Sequence, residues 1–309
     1  MLLVDEIAQP EPAAGEVLVR VRLSGVNPTD WKARASRNPE FPFQVPNQDG
    51  VGVIEAVGHG VDEARVGERV WVYFAAWRQQ WGTAAQWTVL PTEQAVPLPS
   101  DASDELGASL GIPALTAHRC LFADGPIAGR TVLVAGGAGA VGHAAIELAR
   151  RGGAHVIATV SNETKAELAR TAGADDVVDY RREDAAEKIR AAAPDGVDRV
   201  VEVAPAVNFP LDLAVCAPNA TIATYANDAG EEVTLQVAPL MRRNTTFRFV
   251  LVYTMPLEAL RQAVVEVGAA LRDGALTALP VHRYSLQDIA NAHDAVEQAA
   301  VGKVVVEIP

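Results

Sequence analysis

The sequence predicts a doubly wound parallel α/β sheet joined to an irregular, barrel-like β domain. Residues 131–142, Thr-Val-Leu-Val-Ala-Gly-Gly-Ala-Gly-Ala-Val-Gly, run from a short apolar strand into a glycine-rich turn and then a helical pattern. From 109 to 276, apolar runs alternate with helical patterns, as a parallel sheet covered on both faces requires. The first hundred residues instead carry short strand-like runs between Pro and Gly clusters, with little helical periodicity.

Taken in order, 17–23, 52–57, 69–73 and 87–90 read as strands of the first domain. All five tryptophans lie there; most suit packing positions, and Trp77 and Trp81, in a loop-like stretch, are candidates to line an apolar pocket mouth. In the second domain, strands are expected at 132–135, 155–160, 176–178, 199–203, 221–225 and 247–252. Helices are expected at 143–151, 163–172, 184–193 and 257–272. Six such strands make the Rossmann arrangement the natural solution. Residues 286–299 read as a helix, and 303–308 as a strand returning to the first domain. The expected domains are therefore 1–108 completed by 277–309, and 109–276.

Gly137-x-Gly139-x-x-Gly142 falls at a strand-to-helix turn, where a dinucleotide fingerprint belongs. Glycines let the backbone approach a pyrophosphate, and the N–H groups of the helix start attract its charge. Gly137, Ala138, Gly139, Ala140 and Val141 form the candidate cradle; without this context the triplet would be only a tight turn. The net charge of −13 opposes binding to nucleic acid. No run of about 18 apolar residues is present to span a membrane, and the N-terminus has no signal-peptide character. The two cysteines, Cys120 and Cys216, read as buried thiols in a reducing cytoplasm.

Several ordered motifs resemble the medium-chain dehydrogenase/reductase superfamily, in its quinone oxidoreductase (zeta-crystallin-like) branch, over nearly the whole chain. They are Gly25-Val26-Asn27-Pro28-Thr29-Asp30, Asp49 to Gly58, Val66-Gly67-Glu68-Arg69-Val70, Gly111 to Ala117, the glycine turn, Gly173-Ala174-Asp175, Tyr180-Arg181 and Gly302-Lys303-Val304-Val305. The resemblance implies a GroES-like first domain and a Rossmann domain that binds a nicotinamide dinucleotide, with the ring in the cleft between domains. Relatives usually begin about twenty residues earlier, with an extra strand and turn; either the start codon is misplaced here or the β domain lacks an edge.

Zinc-using members place a Cys near Asn27 and a His-Glu pair near Gln48-Asp49. Asn and Gln are poor zinc ligands, and no cluster of four cysteines exists for a structural zinc. The six histidines are scattered, so no metal is expected. The second strand ends at Thr159-Val160-Ser161 without the acid that grips a ribose 2′-hydroxyl in NAD-binding sheets. Similar reductases hold a 2′-phosphate with residues that fall on Ser161, Lys165 and Tyr180, which makes NADPH the expected cofactor. Glu163 counts slightly against this, unless it only complements the helix dipole. Lys165 taken alone could be a solvated surface lysine.

Strand ends at Ala204, Tyr225, Val250 and Leu251, with Thr116, should border the nicotinamide. Asn27, at the position of a lost metal ligand, could hold the nicotinamide, donate to substrate oxygen, or simply form the turn before Pro28. A quinone or α,β-unsaturated carbonyl spreads the charge left by hydride addition, so a strong Lewis acid is less needed. The proton would come from water or from a tyrosine such as Tyr73. The implied activity is NADPH:quinone reduction. An enone, alkenal or enoyl-thioester reductase, or an NADPH-binding structural or regulatory protein with weak catalysis, stand as alternatives. The segment 245–253 could be an edge strand that pairs with its copy in a homodimer.

Overall fold

In the computed structural model the chain forms two compact units, Met1–Ile112 with Ala278–Pro309, and Pro113–Thr277. The structure describes residues 2–36, 41–227, 230 and 232–309.

The first unit is organised on β1 (Glu16–Val26), which buries Val17, Val19, Val21 and Leu23 and leaves Arg20 and Arg22 at the surface. Helix α1 (Pro28–Ser36) follows at once, contrary to the expectation of little helix in this region. Its sequence is too polar to show a periodic face, but its start is well determined. Pro28 sits at the first helical position, where its fixed φ and missing N–H are harmless. Asp30, in the first turn, accepts the Asn27 N–H at 2.7 Å. Next come β2 (Asp49–Val57), β3 (Arg69–Val72), β4 (Trp87–Pro91), β5 (Ala95–Pro97) and the short α2 (Asp104–Gly107). β1 pairs antiparallel with β2, and its first half pairs with β4. Val17, Val19, Ile54, Val70, Val72 and Leu90 close one core between these strands. Each such side chain contributes about 1.5–3 kcal/mol on burial.

A helical turn, Leu110–Ala114, leads into α3 (Leu115–Phe122) and the second unit. There follow β6 (Thr131–Ala135), α4 (Ala140–Arg151), β7 (His155–Val160), α5 (Glu163–Thr171), β8 (Asp176–Asp179), α6 (Ala185–Ala192) and β9 (Val197–Glu202). Then come α7 (Pro205–Val215), β10 (Cys216–Thr224), α8 (Val237–Arg243), β11 (Thr246–Phe249) and α9 (Leu257–Arg272). The strands lie parallel in the order β11-β10-β9-β6-β7-β8. The chain starts in the middle at β6, runs outward to β8, then returns to fill the other side. This is the Rossmann sheet, with its switch point beside β6.

Some expected bounds differ. Pro205 and Pro210 disguise α7 as a loop. β10 starts at Cys216 rather than 221, and β11 stops at Phe249, with Val252–Thr254 coiled into a 3₁₀ turn. Both thiols are buried, which pushes Cys120 and Cys216 up to about 12 and leaves them unreactive.

The chain then re-enters the first unit through β12 (Val281–Ser285), α10 (Ile289–Glu297) and β13 (Lys303–Glu307). β13 lies antiparallel on the second half of β1, with Gly25 opposite Val305, and parallel to β12. The sheet of this unit thus runs β12-β13-β1-β2-β3-β5 and joins both ends of the sequence. Trp71 is fully buried, and Trp81 meets Phe43 edge-on at 5.6 Å between ring centres. The Trp77 ring lies under the Arg78 guanidinium. Among the described residues no helix is long and apolar enough to cross a membrane.

Candidate active site

Two constellations stand out, one in each unit. In the second unit the parallel sheet brings every strand C-terminus to one edge, and the glycine turn after β6 lies at its centre. Gly136 adopts φ +69°, which turns the chain from β6 toward α4. A Cβ on Gly137 would come within 2.8 Å of Ala158 Cβ on β7, and one on Gly142 within 2.3 Å of the Gly136 carbonyl oxygen. These two glycines are dictated by packing. Gly139 differs: the nearest atom to a Cβ there is the Gly136 oxygen at 3.4 Å. Gly139 is the N-cap of α4 and offers no side chain to the first-turn N–H groups. The elbow therefore presents unsheathed backbone donors at a helix N-terminus beside open space, which suits a dianionic phosphate group.

The neighbouring strand ends lie in register. Val160 of β7 pairs with Asp179 of β8, and the Tyr180 N–H donates to the Val160 carbonyl at 3.1 Å. Ser161 and Tyr180 are thus adjacent, each one residue beyond its strand. Asn162 caps α5 by accepting the Lys165 N–H at 2.9 Å, which places Lys165 in the first turn above them. Glu163 is turned away along the helix, where Arg170 holds it at 2.6 Å. Asp179 is occupied by Arg181, whose guanidinium keeps its carboxyl below the usual range.

On the other side of β6, Ala204, Tyr225 and Val250 each follow a strand end. The Tyr225 N–H donates to the Glu202 carbonyl at 3.1 Å, and the Val250 N–H to that of Thr224 at 2.8 Å. Thr116 is buried in α3, whereas Leu251 is exposed. Sequence reasoning passed over Glu202, an acid inside the apolar strand β9. Its carboxyl accepts the Ala204 N–H and Asn208 Nδ2, and so fixes the backbone at Ala204. Burial raises the pKa of Glu202 and of its neighbour Asp212.

The second constellation is a buried polar cluster in the first unit. Asn27 Nδ2 donates to Asp49 Oδ2 at 2.7 Å, and Asn27 Oδ1 accepts from Lys303 Nζ at 2.8 Å. Asp49 also receives the Ile112 N–H on both oxygens, at 2.9 and 3.0 Å. Asn27, Asp30, Asp49 and Lys303 are all nearly inaccessible. Burial raises Asp49 to about 6 and Asp30 to about 8, and lowers Lys303. The two carboxyls and the ammonium partly offset one another's effect. Gly111 is obligatory here, since a Cβ would lie 2.1 Å from Asp49 Oδ1. At Gly25 a Cβ would strike the Ala108 carbonyl at 2.1 Å and crowd Lys303 Cε at 3.1 Å.

Of this cluster, Asn27 and Asp49 stand at lost-ligand positions, but only Asn27 was expected to take part in the reaction. Asp30, Asp49 and Lys303 each lie within a motif of the family resemblance, but nothing in those motifs says that they meet one another. Tyr73 is buried, with its hydroxyl donating to the Glu93 carbonyl at 3.2 Å and its ring against Trp71 and Phe74. Among the described residues no group of three His, Cys, Asp or Glu side chains could hold a metal ion.

Comparison with known proteins agrees with this architecture. Residues 13–100 match the alcohol dehydrogenase GroES-like domain, and residues 140–268 match the zinc-binding dehydrogenase family. Human quinone oxidoreductase is 28% identical over 98% of this chain and 92% of its own. A mycobacterial protein solved in complex with NADPH is 32% identical, with a TM-score of 0.84 over 98% of this chain and 94% of its own. The CurK enoyl reductase is 25% identical, with a TM-score of 0.83 over 99% and 94%. The chain belongs to the medium-chain dehydrogenase/reductase superfamily and, within it, to the quinone oxidoreductase family of oxidoreductases.

Proposed function

We propose that this protein is an NADPH-dependent, zinc-independent oxidoreductase that reduces a quinone. The observation that carries the cofactor choice is the tip of β7. It has no acid to hold a ribose 2′-hydroxyl; the backbone register sets Ser161 beside Tyr180 and Lys165 lies in the first turn of α5, and in our reading these three supply the donors for a phosphate. Glu163, the one acid nearby in sequence, is neutralised by Arg170. NADPH, when bound, supplies the hydride. The chain's own residues then have three tasks. Gly139 and the α4 N-terminus receive the diphosphate, with Gly137, Ala138, Ala140 and Val141 shaping the elbow. Thr116, Ala204, Tyr225, Val250 and Leu251 border the nicotinamide, and Glu202 keeps Ala204 in place. Asn27 meets the oxygen of the acceptor.

The residues that replace the zinc ligands of other superfamily members do not suit zinc. Asn27 directs its oxygen at a lysine ammonium, and both Asp49 oxygens are engaged by the Ile112 and Asn27 N–H groups. A dication there would face a buried positive charge. The acceptor must therefore stabilise its own developing negative charge, as quinones do by conjugation. In our reading water protonates the product, because the Tyr73 hydroxyl proton is given to Glu93.

The likeness to an enoyl reductase favours one second reading, reduction of a conjugated carbon–carbon double bond. Initial rates of NADPH oxidation with a benzoquinone, an alkenal and an enoyl thioester separate the two. The quinone is expected to be turned over fastest. Fastest turnover of the alkenal or thioester would install the second reading, and tight NADPH binding without turnover would point to a structural or regulatory role. We further propose a homodimer. β11 is the edge of its sheet, and Phe249 at its end and Leu251 just beyond are 76% and 55% exposed. Phe249→Glu should halve the mass seen by light scattering, and a wild-type monomer would reject the idea.

A further inference from the structure

The first-unit cluster carries a role that the hydride chemistry does not require on its face. Three parts of the chain far apart in sequence converge on one amide group. Lys303 enters from β13, Asp49 from β2, and Asn27 stands between β1 and α1. The lysine stem passes over Gly25, and the aspartate fits only because Gly111 has no side chain. Burying a lysine among apolar strands is costly unless its charge is answered, and pairing rarely returns a net gain in stability. An apolar residue at 303 would serve the β1–β13 packing as well. Specific orientation is the role that such buried pairs are best suited to supply.

The geometry fixes both ends of the Asn27 amide by opposite charges. The ammonium accepts no hydrogen bond, so it can face only Oδ1; the carboxylate donates none, so it can face only Nδ2. The amide therefore cannot flip. One Nδ2 hydrogen goes to Asp49, and the other has no partner among the described residues.

We propose that Lys303 is a positioning residue for the reaction, locking the Asn27 amide so that its second Nδ2 hydrogen donates to the oxygen of the acceptor as negative charge builds there. This rests on the reading that Asn27 meets the acceptor. No covalent step is involved; the ammonium and amide keep their protons throughout. Such a donor is worth most where it is prealigned and water is excluded.

A double-mutant cycle tests it in the full-length protein, with benzoquinone as acceptor. Lys303→Met keeps most of the stem and removes the charge. It is expected to lower kcat by about tenfold, with NADPH affinity by fluorescence titration unchanged. In an Asn27→Ala background the same change should cost less than about twofold, because there is no amide left to orient. Lys303→Arg should restore much of the rate. Poorly activated quinones should lose more rate than strongly electrophilic ones. If Lys303→Met does not fold, Lys303→Met/Asp49→Asn removes both charges and enters the same cycle.

Equal losses with and without Asn27, or a matching loss of NADPH affinity, would reduce Lys303 to a structural part and overturn the proposal. An unchanged kcat would do the same. A wild-type protein inert toward every acceptor would instead overturn the oxidoreductase reading, and this inference with it.

Discussion

The glycine elbow of the parallel unit and the Asn27 cluster of the barrel-like unit are built from opposite materials. The elbow is backbone: four glycines, a helix start and open space, with selectivity added at the rim by Ser161, Lys165 and Tyr180. The cluster is side chain: an amide, an ammonium and two carboxyls, each buried and each held by another. Backbone donors can bind a phosphate because the helix presents them together at its end. Orienting a single donor against a single oxygen needs charges placed from several strands. The two constructions should therefore fail differently when altered.

The largest effect is expected at Gly142. A methyl group there would overlap the Gly136 carbonyl oxygen, so Gly142→Ala should cost about 3 kcal/mol and abolish dinucleotide binding with it. Gly139→Ala meets nothing closer than 3.4 Å. It should leave the Tm within a few degrees and weaken NADPH binding alone. Thermal melts beside fluorescence titrations check the pair, and a Gly139→Ala protein that binds NADPH normally would remove the elbow from the cofactor site.

The barrel-like unit should show its dependence on buried side chains through pH. His293 is fully buried and donates from Nε2 to Asn47 Oδ1 at 2.9 Å, since Asn47 commits its own Nδ2 to Ser24. Burial, and then Arg34, lower its pKa to about 4, with Asp294 opposing. The folded state keeps His293 neutral, while the unfolded chain protonates near 6.5. Stability should therefore fall as the pH drops from 6.5 toward 4, by roughly 3 kcal/mol from this group alone. Urea melts across that range measure the slope, and His293→Gln, which keeps a donor to Asn47, should flatten it. An equal slope in the variant would assign the acid sensitivity elsewhere.

Charge at the rim of the elbow matters less for stability and more for choice. Lys165→Glu should raise the KM for NADPH at least tenfold and leave that for NADH nearly unchanged. If both respond alike, Lys165 is not a phosphate contact. The smallest effect is expected at Tyr73, where Tyr73→Phe removes the bond to the Glu93 carbonyl. It should cost about 1 kcal/mol of stability and little kcat. A collapse of kcat would make that hydroxyl the proton donor.

The same contrast explains what could be read from the sequence. The elbow was legible because its determinants are contiguous: strand, glycines and helix follow one another within residues 131–151, and the spacing itself carries the meaning. The parallel sheet was legible for a similar reason, since each strand and helix announces its own period. The members of the Asn27 cluster lay in quoted motifs, but a role could be assigned to Asn27 alone. Asp49 and Lys303 join it across 22 and 276 positions, and no local pattern marks residues that meet through sheet pairing. Helix α1 was hidden because Pro28 and Asn27 signal a turn as strongly as a helix start. Helix α7 was hidden because Pro210 interrupts it. Glu202 passed as part of a strand, since burial of an acid cannot be seen before the partners that tolerate it.

The most direct test of the account is the rate of benzoquinone reduction by protein stripped of metal with a chelator, measured with NADPH and with NADH. Turnover should be undiminished after stripping, with NADPH preferred by about tenfold or more in kcat/KM. Activity that vanishes with the chelator and returns with zinc, or a preference for NADH, would contradict it.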